Sequence, residues 1–113
     1  MTKDELETIL ENQDWKLEEM YNNEKELVIT ISSMSDAGED LYETIYVQPD
    51  DTLSHAFYVW AESFDPEEHV KMWLDAKEHG TQGVPDLFTL VEDAKSIEEA
   101  FENLAREIAD AEK

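Results

Sequence analysis

Residues 26–32, ELVITIS, leave this chain the least choice. A β-branched, nearly all-apolar run packs well on a pleated surface and needs neighbouring strands to pair with. The flanking sequence supplies them. On one side Trp15, Leu17, Glu19 and Tyr21 alternate with Lys16, Glu18 and Met20, which is the period of a strand. Asn22-Asn23 then makes a turn, because Asn tolerates positive φ. On the other side Ser33 to Asp40 reads as a loop carrying Gly38, and Leu41 to Val47 as a third strand. Three antiparallel strands in succession form a meander.

Helical periods surround this sheet. Residues 3–12 predict a short helix with Leu6, Ile9 and Leu10 on one face and Thr2 as its cap. Pro49, Asp50 and Asp51 end the sheet, and from Thr52 the stripe Leu53, Phe57, Trp60, Ala61, Phe64 has helical spacing. In DPEE (residues 65–68) Asp65 can cap, Pro66 takes the first helical position and Glu68 completes a capping box. That helix should turn Val70, Trp73 and Leu74 inward and stop at Gly80, before a GTQG loop (residues 80–83) that leads to Pro85 and Asp86. Residues 86–112 space Leu87, Val91, Ala94, Ile97, Phe101, Leu104, Ile108 and Ala111 as the stripe of a long helix. Ser96 with Glu99 offers an alternative start, hence a kink near Lys95. The expected architecture is one α+β domain over residues 1–113: helix, three-stranded antiparallel meander, then three helices. Trp15 and Trp60 are expected core residues. With 41% hydrophobic residues the chain has enough apolar matter to fold.

Charge is the second constraint. Thirty acids against eight bases give −22 at pH 7, spread over the whole length. That equals the charge on about 11 base pairs of duplex DNA. Direct binding to nucleic acid or to an anionic membrane is therefore disfavoured. No apolar run approaches the roughly 20 residues of a membrane span, and MTKDELETIL carries acids where a signal peptide carries a basic head. A cytoplasmic setting is the expectation. The absence of cysteine removes disulfides, thiolate metal sites and a Cys nucleophile together.

Catalytic chemistry has no candidate in the sequence, so no enzyme and no cofactor are expected. His69 and His79 lack metal-ligand spacing, and His55 beside Ser54 is not by itself a nucleophile–base pair. Glu67 and Glu68 are explained by a helix start. The SDAGED loop (residues 35–40) has oxygen donors for, at most, weak calcium binding. Phe57, Trp60, Phe64 and Trp73 fall on apolar stripes and read as core rather than as a ligand pocket.

Two resemblances follow from particular segments. MSDAGEDLYETI (34–45), FDPEEHVKMWLDAK (64–77) and GVPDLFTLVEDA (83–94) resemble a family of small acidic proteins from phages and mobile elements of gut Firmicutes. That family implies a context more than a mechanism. Residues 1–64 resemble small anti-CRISPR inhibitors of RNA-guided CRISPR nucleases: a short acidic helix, ENQDW, a meander with a Gly-acid loop before its third strand, then a helix. The resemblance implies that acids at the helix–strand junction and in the strand 2–3 loop occupy a pocket that reads DNA. By position Asp14 matches the junction acid, and Asp36, Glu39 and Asp40 match the loop acids. With Glu43 just beyond, these are the candidate partner-binding residues. The long helical region after residue 64 departs from that pattern. The expected function is a non-enzymatic, DNA-mimicking inhibitor of a basic nucleic-acid-binding protein. The alternative is a phage or plasmid accessory domain whose acidity serves solubility, a monomer or a homodimer through its last helix.

Self-repulsion among 22 net charges opposes compaction. Moderate salt should therefore raise the melting temperature followed by circular dichroism, as screening shortens to about 10 Å at 0.1 M. A melting temperature that falls as salt rises would contradict the repulsion argument.

Overall fold

The computed structural model describes residues 1–76 and 87–112, without the side chains of 73–76. Helix α1 spans Lys3–Asn12, strands β1, β2 and β3 span Lys16–Asn22, Leu27–Met34 and Asp40–Val47, and helices α2, α3 and α4 span Leu53–Glu62, Pro66–Ala76 and Leu87–Ala111. The sheet is antiparallel in the order β1-β2-β3, so this is the α+β meander with a leading helix and trailing helices. The expected inward packing of Trp73 and Leu74, the stop at Gly80 and the GTQG loop lie outside the described residues.

Local chemistry explains where the elements begin. Thr2 caps α1 by accepting the Glu5 N–H at 3.2 Å, and Thr52 caps α2 by accepting the His55 N–H at 3.1 Å. Asp65 Oδ1 accepts the N–H groups of Glu67 and Glu68 at the start of α3. The first hairpin turns by a route other than the one expected. Asn23 Oδ1 accepts from both Lys25 N–H and Glu26 N–H at 2.8 Å, so its side chain, not a positive φ, shapes the turn.

Pairing registers sort the strands into two faces. Leu17 and Met20 oppose Ile31 and Ile29, which oppose Glu43 and Ile45. Lys16, Glu19 and Tyr21 share the other face with Val28, Thr30, Ser32 and Met34 of β2 and with Asp40, Tyr42, Thr44 and Tyr46 of β3. Simple alternation put Glu19 and Tyr21 on the side of Leu17. The structure corrects this with a register shift between Leu17 and Glu19, a bulge at Glu18 that turns Met20 inward instead.

The described helices cover the first face. Ile29, Ile31, Leu41, Ile45 and Val47 form one core with Leu6 and Leu10 of α1, Phe57 of α2, and Ile97, Phe101, Leu104 and Ile108 of α4. α1 packs on β1, α2 on β3, and α4 touches α1, α2 and α3. α4 is one unbroken helix through Lys95 and Ser96. Its buried stripe begins at Leu90, which joins Val70 of α3 and Ala94 in a smaller cluster, whereas Leu87 and Ala111 are exposed. From Leu90 to Ile108 the stripe is taken up by the core.

Aromatic rings fill the middle of this core. Phe101 stacks on Trp60 with centroids 4.2 Å apart, and Phe64 and Trp15 tilt against it at 5.0 and 5.6 Å. Trp15 is buried as expected, but Trp60 is only partly so. Because three rings rest on Phe101, Phe101→Ala should cost about 3–5 kcal/mol. Trp60→Ala should cost less than Phe101→Ala in urea denaturation, and the reverse order would contradict the packing described.

Candidate functional site

Asp14 stands where α1 turns into β1. Trp15 N–H donates to the Leu10 carbonyl at 2.8 Å and Asp14 N–H to the Glu11 carbonyl at 3.1 Å, the paired bonds of a helix end closed by a left-handed residue. Asp14 is that residue, with φ 63°, the one non-glycine at positive φ among the described residues. Glycine takes this conformation without a Cβ penalty, and a carboxylate at a helix C-terminus meets the negative end of the dipole. Two local effects thus disfavour an acid at position 14. Ser33 Oγ–H donates to the Asp14 carbonyl at 2.8 Å and ties the junction to the end of β2. Its carboxylate is exposed and engaged by no hydrogen bond or ion pair among the described residues.

The loop between β2 and β3 is built on Ser35. Gly38, at φ 88°, lets the chain fold back so that Gly38 N–H reaches the Ser35 carbonyl at 2.9 Å, and Glu39 N–H donates to Ser35 Oγ at 2.9 Å. The loop is then bolted to α4. Asp93, only 4% exposed, accepts Ser35 Oγ–H at 2.6 Å on one oxygen and Ala37 N–H at 2.9 Å on the other. A buried carboxylate is tolerated because both oxygens are hydrogen-bonded. Sequence reasoning passed over Asp93. The signal available was an acid between Leu90 and Ala94 on the apolar stripe, where solvent would not reach it.

The five candidate acids fall into two groups. Glu39 Oε2 lies 2.9 Å from His69 Nε2 of α3, so Glu39 joins the loop to that helix. Glu43 points to the helix-covered side and accepts the Trp60 indole N–H at 3.1 Å. Both are structural acids. Asp14, Asp36 and Asp40 are exposed and carry no such bond. Asp14 and Asp40 line one open groove of about 500 Å³ with Lys16, Met34 and Tyr42. Asp36 lies apart, beside Ala37 and the first turns of α4.

Remaining polar clusters offer little chemistry. His55 Nδ1 sits 2.8 Å from Asp51 Oδ1, and this hydrogen bond, helped by Thr52 N–H, holds the Asp51 carboxyl below its usual range. With the folded-state pKa lowered, the contact stabilises the fold above the ordinary carboxylate range and is lost as pH falls through the folded value. Ser54 Oγ lies 3.3 Å from Thr52 Oγ1 rather than on the imidazole. Among the described residues no three metal-ligating side chains converge, the SDAGED acids included. No helix there is long and apolar enough to cross a membrane. Comparison with protein families, curated proteins and solved structures finds no match.

Asp14 provides a direct test of this geometry. Asp14→Gly should raise stability by up to about 1 kcal/mol in urea denaturation, through relief of the left-handed strain. A destabilised variant would show that the carboxylate holds the junction together.

Proposed function

We propose that this chain is a non-enzymatic acidic protein that occupies the nucleic-acid groove of a basic protein, of the kind used by mobile elements against an RNA-guided or related defence nuclease. The observation that carries the reading is the display of Asp14, Asp36 and Asp40: exposed carboxylates, without cation partners, on backbone fixed by a capped helix end and by the Asp93 clamp. Preorganisation lowers the ordering cost of binding. Carboxylates on a rigid frame take the place of phosphates before Arg and Lys, and a net charge of −22 steers the encounter. Lysine or histidine partners lie within 4 Å of Glu18, Glu39, Asp51 and Glu92. Most of the described acids are exposed.

The test is capture of basic DNA-binding proteins from a bacterial lysate, followed by competition with duplex DNA. Wild type should compete with DNA and lose affinity steeply as salt rises. Changing Asp14, Asp36 and Asp40 together to Asn should weaken competition by at least about 2 kcal/mol, roughly 30-fold, with the melting temperature kept. Changing Glu67 and Glu68 to Gln, which removes charge at a helix start, should weaken it far less. Equal losses in both variants would show that bulk charge, not these three positions, does the binding.

A further inference from the structure

Among the described residues no helix lies over the second face of the sheet. Val28 there is only 4% exposed although it belongs to neither helix-backed core cluster, and the register sets Tyr21 and Tyr46 on either side of it. Both flanking tyrosines belong to the same face. They are themselves open to solvent: Tyr21 is 46% exposed and Tyr46 56%, with Tyr42 at 66% and Met34 at 64% on the same face. Three of the four tyrosines of the chain are thus presented together. Thr30 and Thr44 form the floor between them, their hydroxyl oxygens 3.4 Å apart. At one end this face runs into the groove of Asp14, Asp40, Met34 and Tyr42.

Tyrosine and methionine are enriched at protein interfaces, and tyrosine gives up little conformational entropy on being covered. Charge decides what covers them. A second copy would bring another −22 against this one. Sheet faces with aromatics also stack nucleic-acid bases, but such platforms need a basic groove, and among the described residues of this face Lys16 is the one cation, already 3.7 Å from Glu18. Arginine suits the site from both sides. Its guanidinium plane stacks on tyrosine rings, and its fork of donors meets carboxylates such as Asp14 and Asp40.

From this juxtaposition we infer that the uncovered sheet face, with Tyr42, Tyr46 and Tyr21 as stacking surfaces and Asp14 and Asp40 as acceptors at its end, is the docking surface for an arginine-bearing face of a basic protein. The inference rests on the function proposed above and gives it an address: the aromatic sheet face, not the acidic helices. Binding then depends on ring faces as well as on charge, so arginine is preferred to lysine at equal charge.

Nona-arginine and nona-lysine peptides, titrated into the full ¹⁵N-labelled chain, test it. Amide shifts on adding nona-arginine should concentrate in β1, β2, β3 and the Asp14 junction, and nona-arginine should bind more tightly than nona-lysine. Replacing Tyr42 and Tyr46 together by Ala should weaken nona-arginine binding about tenfold, as two cation–π contacts are lost, and leave nona-lysine within about twofold. Phe at both positions should restore it, which separates ring loss from misfolding. Shifts spread over α2, α3 and α4, or equal binding of the two peptides, would overturn the inference. So would a wild-type dimer by sedimentation that the Ala pair dissolves, because a second copy would then be the occupant. Failure of the functional reading looks different: arginine peptide docks on the sheet face, yet no captured protein is displaced by DNA.

Discussion

Burial of the α4 stripe from Leu90 to Ile108 is the contact on which the other elements depend. α1, α2 and α3 each touch α4, and the inner face of the sheet shares one core with it. The stripe is continuous because the helix does not break at Ser96. A three-stranded sheet and a ten-residue helix would be marginal alone, as each leaves an apolar face in water. Phe101 concentrates this dependence in one side chain, since rings from α2, from the α2–α3 link and from the start of the sheet converge on it.

Thirty acids have to be arranged around that core, and most can only go to the surface. Among the described acids Asp93 is the exception and shows what an acid needs in order to stay inside: two donors fixed by the loop it holds. Glu39 and Glu43 take an intermediate course, half-buried against His69 and the Trp60 indole. Those three anchor the β2–β3 hairpin to α2, α3 and α4. The exposed acids nearby, Asp36 and Asp40, are thereby held on a fixed frame instead of a loose loop. Asp14 reaches the same condition differently, through backbone bonds at a helix end.

Sheet asymmetry follows from the same accounting. With all described helices on one side, the other side must be polar or must wait for a partner. It is neither fully polar nor apolar: tyrosine rings over a threonine floor, with carboxylates at the edge. Tyrosine suits both conditions, because its ring can be covered and its hydroxyl remains hydrated until then.

The order of elements, the caps at Thr2 and Asp65, and the α+β class were legible in the sequence, because each depends on residues a few positions apart. Periods of two and of 3.6 are local properties of the backbone. The phase of β1 was not legible: one bulged residue at Glu18 reverses every side chain after it, and only pairing with β2 reveals the shift. The fate of the candidate acids was hidden for a related reason. Glu43 meets Trp60 across 17 positions, Glu39 meets His69 across 30, and Asp93 meets Ser35 across 58. Nothing local marks one acid as bonded and its neighbour as free. The sequence alone determined that the chain folds as α+β and that its surface is a polyanion. Tertiary packing decided which carboxylates remain available and which sheet face stays bare, since both depend on contacts that exist only once α4 closes over the sheet.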